Sequence, residues 1–429
     1  MSVFSDRPPQ SPLSPASAHP DKRRRSTDNQ HKILDGLSLH SDKSKTESEL
    51  NLEKKKQYTF DDLKEVCTLG TGSFGTVKLV HHESSGDAMA LVSNVFYDVI
   101  VDYCVLMSYS DASMYYILLQ KILKKDTIVE FRQEKNILSE KQLLLECTRC
   151  PFIVNLISTF NHANKLYMLM ELVQGGELLT HLYDRADTIP KSSFGGFTIE
   201  CNTFYLANIL LAFEFMHSKD IIYRDLKPEN ILVNNDGYIK LADFGFAKVI
   251  PYATSEGEVI TKTYTIVGSP EYMAPEMLNN LGYDECVDYW SLGCLIFELV
   301  FANSLFADPG GYPLLTQENV RKSTKESICQ SFPDAFKEEH AALYELTTSF
   351  LVPDPSGRAC FKDMTAIRSS KVFTHEYWSD VEERKIKPFY IPSIEHHLDA
   401  SNFYDFDEED EEEAHEVQFD GDQSVFDLF

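Results

Sequence analysis

Four short motifs, in a fixed order along the chain, constrain its fold more than any other feature of the sequence. They are a glycine-rich segment, a segment built around Arg-Asp, an Asp-Phe-Gly triplet and an Ala-Pro-Glu triplet, at residues 70–77, 223–230, 243–245 and 274–276. One such motif alone would be a weak signal, because glycine clusters also occur in tight hairpins and in dinucleotide-binding turns. Their shared order makes coincidence negligible.

The glycine-rich segment is typical of a loop that binds phosphate. Gly70, Gly72 and Gly75 lack side chains, so backbone N–H groups there can approach phosphate oxygens closely. The segment lies between two strand patterns, and no helical pattern follows it at once. This placement favours a phosphate-binding hairpin over a dinucleotide-binding turn, which opens directly into a helix.

The two aspartate motifs carry the groups that phosphoryl transfer needs. Asp225 is the candidate for orienting the attacking hydroxyl and accepting its proton. Lys227 supplies a cation near the transferred phosphoryl group. Asn230 and Asp243 supply oxygen ligands for Mg²⁺, the expected cofactor, with ATP as co-substrate.

The ordered set resembles the protein kinases, and two further features resemble their AGC group of serine/threonine kinases, in particular the cAMP-dependent enzymes. Tyr223 stands before Arg224-Asp225, and a Phe-x-x-Phe pair, Phe426 and Phe429, ends the chain. The resemblance covers residues 58–429. It implies an α+β, bilobal fold with a small β-rich N-lobe, a larger helical C-lobe and a C-terminal tail.

Composition and resemblance together divide the chain into three parts. Residues 1–57 are rich in Ser, Pro, Lys and Asp and are expected to be a disordered arm. Residues 58–373 are expected to form the kinase domain, with its N-lobe at about 58–170 and its C-lobe at about 174–373. Residues 374–429 are expected to form the tail.

The resemblance also implies which residues bind ATP. Met170 would be the gatekeeper beside adenine, and Lys121 would hold the α and β phosphates while pairing with Glu140. The complete expected set is Leu69, Gly70, Thr71, Gly72, Ser73, Phe74, Gly75, Thr76, Val77, Ala90, Lys121, Glu140, Met170, Glu171, Val173 and Glu177.

Substrate preference is expected from carboxylates and one apolar pocket. The acidic positions match those that bind arginines before the phosphoacceptor, since carboxylates pair with guanidinium in bidentate geometry. The expectation is therefore an Arg-Arg-x-Ser/Thr-apolar motif. The residues implied are Glu177, Glu229 and Glu298 for the arginines and Ile266, Pro270 and Met273 for the apolar residue.

Thr265 matches the activation-loop phosphorylation site, which implies an upstream activating kinase as a partner. Arg224 and Lys248 are expected to pair with its phosphate. The resemblance further implies that Asp288 holds the catalytic loop, that Ser269 sits close to Asp225, and that Glu276 and Arg358 form an ion pair anchoring the activation segment. A cAMP-binding regulatory subunit is a candidate partner, although Tyr264 replaces the Trp that such a partner usually contacts.

The net charge and the cysteine content bear on which classes of partner and which cellular compartment are expected. The formal net charge is -27, so binding to nucleic acid or to an anionic membrane through bulk charge is not expected. The negative charge is compatible with attraction of basic peptides and equally with a charge that only keeps the protein soluble, and it does not choose between them. The lone C-x-x-C at Cys147 and Cys150 lacks a second ligand pair, so both are interpreted as ordinary thiols. Neither a signal peptide nor a membrane span is expected, and a cytoplasmic protein with access to the nucleus is the interpretation.

Residues 92–120 interrupt the strand that should carry Lys121. Joining Leu91 to Lys121 would restore the family motif, and the 29 residues contain no Lys, Arg or Glu. Val92 has codons that begin GT and Gln120 can be encoded by CAG, as at intron boundaries. We therefore predict a retained intron or gene-model artefact; a genuine loop is the alternative. A translated insert would be expected to loop out of the strand just before Lys121. In that case a catalytically silent scaffold with the kinase fold is the alternative to an active kinase.

The arm carries one further signal, Arg23-Arg24-Arg25-Ser26-Thr27, which resembles the expected substrate motif. It predicts autophosphorylation at Ser26 or weak self-inhibition by the arm. A basic patch for localisation is the alternative, and Thr27 is not the large apolar residue that the pocket would prefer.

Overall fold

A computed structural model gives the structure of the chain in a set of described ranges, all within the compact unit Tyr58–Phe429. These are residues 63–72, 75–82, 87–88, 105–107, 117–185, 187–250, 253–255, 258–260, 262–374, 376–396, 399–403, 419 and 421–429. The features predicted at Arg23–Thr27, Ser73, Phe74 and Ala90, and in most of 92–120, lie outside them.

The first part of this unit is built from two antiparallel arrays of strands. One sheet contains β1 (Leu63–Gly72), β2 (Gly75–His82) and β3 (Asp87–Ala88) in that order. The other has the order β4-β5-β7-β6, from β4 (Val105–Met107), β5 (Ile117–Lys124), β6 (Leu156–His162) and β7 (Lys165–Glu171). The only parallel contact among the described strands of this sheet joins β4 to β7 at Leu106 and Glu171.

Two helices follow β5: α1 (Lys125–Glu130) and α2 (Glu134–Cys147). The buried residues of α2 recur at helical spacing, so one face of the helix packs inward. They are Ile137, Glu140, Leu143, Leu144 and Cys147. Glu140 is the single charged member of this face.

The second part is mainly helical, around two long helices, Ile199–His217 and Cys286–Phe301, that are buried on nearly every side. The sequence there is apolar all round the helix, which is typical of a central core helix. The helices are α3 (Leu178–Tyr183), α4 (Ile199–His217), α5 (Pro275–Leu278), α6 (Cys286–Phe301), α7 (Pro313–Arg321), α8 (Lys325–Ser331), α9 (Asp334–Glu339), α10 (Ala341–Phe350), α11 (Met364–Arg368) and α12 (Tyr377–Glu382).

Short strand pairs place the aspartate motifs. β8 (Ile221–Ile222) pairs with β11 (Lys248–Val249), and β9 (Ile231–Val233) pairs with β10 (Ile239–Leu241). The segment 223–230 therefore connects β8 to β9, and 242–247 connects β10 to β11. A further hairpin joins β12 (Ala253–Ser255) to β13 (Glu258–Ile260).

The architecture confirms the predicted α+β fold with a small β-rich part and a larger helical part. None of the helices described here is long and apolar enough to cross a bilayer.

One expectation about the segment 92–120 was wrong: the chain does not leave the strand just before Lys121. β5 begins at Ile117, and Gln120 and Lys121 stand opposite Leu169 and Met168 of β7. Because β7 continues to Glu171, it offers backbone partners to the last residues of the insert, and these extend the strand.

Candidate active site

The loop that carries Asp225 is held by hydrogen bonds to the buried carboxylate of Asp288. The backbone N–H groups of Tyr223 and Arg224 donate to its two oxygens at 2.9 and 2.8 Å, and His217 Nε2 lies 2.7 Å from Oδ2. Arg224 adopts φ +70°, a left-handed conformation that a non-glycine residue holds only when its surroundings impose it. This confirms the predicted role of Asp288 in holding the loop.

Asp225 lies at the centre of a small polar cluster and is buried. Asn230 Nδ2 donates to its Oδ2 at 2.8 Å, and Lys227 Nζ lies 3.2 Å from the same oxygen. Ser269 donates its backbone N–H to Oδ1 at 3.2 Å, and its hydroxyl accepts from Lys227 at 3.1 Å. The predicted neighbours of Asp225 are thus brought together, around a carboxylate able to accept a proton from a nearby hydroxyl.

Asp243 is held by a tight local turn. Its φ is +50°, and the backbone N–H of Gly245 donates to its Oδ1 at 2.7 Å. Phe244 is buried against the ring of Tyr223, with centroids 5.5 Å apart, and Ala242 N–H donates to the Asn230 carbonyl at 2.9 Å. Asp243 and Asn230 are thereby tied together through the backbone.

These two side chains fit the ligand chemistry of Mg²⁺. The Asn230 amide nitrogen faces Asp225, through bonds of 2.8 Å to both its Oδ2 and its carbonyl, which leaves the amide oxygen for a cation. A carboxylate and an amide oxygen are hard ligands of the kind that Mg²⁺ prefers beside phosphate oxygens.

The predicted adenine region is apolar. Met170, Val173 and Leu69 are all buried. The Glu171 side chain is held elsewhere, since its Oε1 accepts from Asn155 N–H at 2.8 Å and from Lys240 Nζ at 2.5 Å. Glu177 is half-buried at the residue before α3.

The described glycine-rich residues form the end of the β1–β2 hairpin. Gly70 stands opposite Val77, Thr71 opposite Thr76, and Gly72 opposite Gly75. This antiparallel hairpin agrees with the interpretation of the segment as a hairpin rather than a strand-to-helix turn.

Lys121 lies on β5 and Glu140 on α2. Lys121 occupies the middle of β5, opposite Met168, and Glu140 lies on the buried face of α2 with 1% of its surface exposed. Their ion pair stays a prediction. A carboxylate so deeply buried is typical of a group with a charged or hydrogen-bonding partner.

An acidic pair, Glu229 and Glu298, lies near Asp225, since the charges of Glu298 and Asp225 both act on the Glu229 carboxyl. Glu298 accepts hydrogen bonds from the hydroxyls of Tyr183, at 2.7 Å, and Tyr272. Glu229 Oε2 is buried and has no hydrogen-bond partner among the described residues. Burial raises the pKa of both glutamates. Sequence reasoning missed both tyrosines, because no local pattern links Tyr183, on α3, or Tyr272, before α5, to Glu298 on α6.

The activation segment is connected to Arg224 through Tyr283, another residue that the sequence did not single out. Arg224 Nη1 donates to the Tyr283 hydroxyl at 2.9 Å, and that hydroxyl donates to the carbonyl of Thr265. Lys248 Nζ donates to Thr263 Oγ1 at 2.9 Å. Thr265 itself is exposed.

The residues predicted to line the apolar pocket differ in exposure. Ile266 has 48% of its surface exposed, Pro270 is half-buried, and Met273 is buried. The predicted ion pair between Glu276 and Arg358 is confirmed, with Nη1–Oε1 and Nη2–Oε2 distances of 2.6 and 2.9 Å.

Comparison with known proteins agrees with this geometry. The protein kinase domain family matches residues 105–371. A human cAMP-dependent protein kinase catalytic subunit is 32% identical over 355 residues, which is 82% of this chain and 83% of the relative. A Drosophila melanogaster cGMP-dependent protein kinase, isozyme 2 forms cD5/T2, is 35% identical over 347 residues, 80% of this chain. The chain spans about a third (32%) of that fly protein's length.

Proposed function

The chain belongs to the protein kinase family, and we propose that it transfers the γ-phosphoryl group of ATP to serine or threonine in basic protein substrates. One observation carries the proposal: Asp225 is held by Asn230 and lies within 3.2 Å of Lys227 Nζ. An Asp in this position accepts the proton of the attacking hydroxyl while the lysine offsets charge that develops on the phosphoryl group.

Magnesium would be held by Asp243 and Asn230. Bound there, it neutralises charge on the phosphate oxygens during transfer. The fixed turn at Asp243 and the backbone link to Asn230 keep the two ligands in register, so that little rearrangement is needed when MgATP binds.

Substrate choice is proposed to follow from the acidic pair. Glu229 carries a buried carboxylate oxygen without a partner among the described residues, and Glu298 lies close enough to raise its pKa further. Two ionised carboxylates in such a place repel one another, and a guanidinium group relieves that repulsion. With Glu177 this supports an Arg-Arg-x-Ser/Thr-apolar motif.

Regulation is proposed to act through Thr265. Phosphate on this exposed residue would lie near Arg224, which already reaches the Thr265 carbonyl through Tyr283, and would order the segment by charge-assisted hydrogen bonds. An upstream kinase would supply the phosphate. A cAMP-binding regulatory subunit and a cytoplasmic location, with access to the nucleus, belong to the same proposal.

Phosphorylation of synthetic peptides by the full chain tests the function. We expect Mg²⁺-dependent transfer to an Arg-Arg-x-Ser-apolar peptide and a rise in KM when either arginine is replaced by alanine. Asp225→Asn is the matched control, since it keeps the size and the neighbours of the side chain and removes the base. If the Thr265-phosphorylated chain and Asp225→Asn are equally inactive while both bind ATP, the scaffold function replaces the enzyme.

A further inference from the structure

Two buried thiols that are distant in sequence lie close together at the start of α6. Cys286 is the first residue of α6, and Cys360 follows Arg358 by two positions. The two sulfur atoms and a Glu285 carboxylate oxygen all lie within 4.8 Å of one another.

We propose that Cys286 and Cys360 are a site of reversible oxidation, at which hydrogen peroxide converts the two thiols into a disulfide. The Cys360 thiolate attacks one peroxide oxygen, which forms a sulfenic acid and releases hydroxide. The Cys286 sulfur then attacks the sulfenic sulfur, loses its proton, and the second oxygen leaves as water. The two thiols supply two electrons and one peroxide becomes two waters.

The surroundings of Cys360 favour it as the attacking thiolate. The neighbouring Cys286 thiol lowers the pKa of Cys360 against the effect of burial, and the ammonium group of Lys362 acts in the same direction as Cys286. The neighbouring Cys360 sulfur, followed by burial, raises the pKa of Cys286, which is therefore the partner that brings a proton to the second step. Thiolate character decides which cysteine peroxide attacks first.

Three other buried cysteines of the described residues, Cys147, Cys150 and Cys294, have no neighbouring thiol that lowers the pKa as Cys286 does for Cys360. Burial raises the pKa of Cys147 to about 12 and that of Cys150 to about 11, so both keep their protons. Cys294 is buried on the same helix as Cys286, and burial raises its pKa as well. These three thiols are internal controls for burial without activation.

The proposed disulfide would join the two backbone segments that hold the buried Arg358. Arg358 Nη1 donates to the carbonyl of Cys286, one of the two bonded cysteines, at 3.0 Å. The other cysteine, Cys360, is two residues after Arg358 in the chain. A bond closing so long a loop restricts the unfolded chain and stabilises the folded one.

Differential alkylation of the full-length chain tests the proposal independently of kinase activity. The reduced protein is treated with one equivalent of hydrogen peroxide, in a chelator that removes metal from the Glu285 carboxylate and the thiols. It is then denatured in the presence of iodoacetamide, which alkylates the free thiols, and is digested for mass spectrometry. We expect one linked peptide pair containing Cys286 and Cys360, lost after dithiothreitol, while Cys147, Cys150 and Cys294 are recovered alkylated.

The unfolding midpoint of the oxidised chain should exceed that of the reduced chain by roughly 5 °C. Cys286→Ala should abolish both the linked pair and the shift, whereas Cys294→Ala should leave both in place. Recovery of Cys286 and Cys360 as alkylated thiols after peroxide overturns the proposal. Oxidation of Cys360 to the sulfinic acid beside an alkylated Cys286 overturns it too, and both results are read from the unsubstituted protein.

Discussion

Arg358 and Glu276 form a bidentate ion pair in which both side chains are buried, with 0% and 2% of their side-chain surfaces exposed. The guanidinium also donates from Nε to the Val352 carbonyl at 3.0 Å and stacks on Trp290, with 5.1 Å from its carbon to the ring centroid. The pair therefore joins the end of the activation segment, at α5, to the loop after α10 and to the central helix α6.

Replacing Arg358 by alanine should cost about 3–5 kcal/mol of unfolding free energy, because it leaves the Glu276 carboxylate buried without its counter-ion. Arg358→Lys should recover only part of this, since an ammonium group cannot form the bidentate pair. Urea denaturation of the full chain measures both. Lys322→Ala is the control, because it breaks an exposed pair with Glu318 and should change stability little. Equal effects of Arg358→Ala and Lys322→Ala would contradict the expectation.

The buried glutamates predict a pH dependence of substrate binding. Burial raises the pKa of Glu229 and Glu298, so each carboxyl becomes protonated at a pH above the ordinary glutamate value of about 4.3. As the pH falls through these raised values, KM for an arginine-containing peptide should rise, by roughly tenfold per pH unit for one group. KM for ATP should stay constant. A peptide with its arginines replaced by alanine is the control, and a parallel rise of its KM would argue against this assignment.

The raised pKa values of Glu229 and Glu298 also determine how the stability of the fold changes with pH. A carboxyl whose folded-state pKa lies above its unfolded value opposes folding while it is ionised. Glu229 and Glu298 therefore contribute instability at neutral pH, and this is relieved as the pH falls through their folded-state pKa values. Glu229→Gln should raise the unfolding midpoint at pH 7 and raise the peptide KM at the same time.

The tail residues Phe426 and Phe429 are buried, whereas Leu428 between them has 76% of its surface exposed. Asn161 Nδ2 donates to the Phe426 carbonyl at 3.1 Å, and Lys141 Nζ donates to the Leu428 carbonyl at 2.9 Å, so the tail packs on β6 and α2. Phe426→Ala should cost about 3 kcal/mol, the lower end for deleting a buried phenylalanine. Because α2 also carries Glu140, KM for ATP should rise. Leu428→Ala is the matched control and should leave both quantities unchanged.

The sequence predicted the parts of the site that lie close together along the chain. Asp225, Lys227 and Asn230 sit within six residues, and the turn that fixes Asp243 involves its own neighbours. The buried pairs Tyr223–Asp288 and Glu276–Arg358 are remote in sequence, and they could be predicted only because the motifs resemble a known family.

The contacts that sequence reasoning missed depend on tertiary packing without a local signature. Tyr183 reaches Glu298 from another helix, and Tyr283 lies between Arg224 and Thr265. A tyrosine at such a position is equally compatible with an ordinary core residue, because its hydroxyl finds a partner only once the helices have packed. The extension of β5 to Ile117 was missed for a related reason: strand length depends on which partner strand is available.

The last prediction concerns residues 92–120, which we expect mature transcripts to lack. In the full chain, Ile117–Gln120 form the first half of the strand that leads to Lys121, opposite β7. Deleting 92–120 transfers that position to Ala88–Leu91, and this restores Ala90 and Leu91 directly before Lys121. The deleted chain should therefore phosphorylate the arginine peptide at least as fast as the full chain. It should also aggregate less, since the removed residues include a long apolar stretch without Lys, Arg or Glu.

Deletion of 92–116 alone is the matched control: it removes most of the insert but keeps Ile117–Gln120 in the strand, so it separates the effect of strand identity from that of length. Transcript sequencing across the junction, together with peptide kinetics of the three chains, decides the matter. Messages that uniformly encode the 29 residues, and a full chain as active as the 92–120 deletion, would show that the segment is a genuine part of the protein.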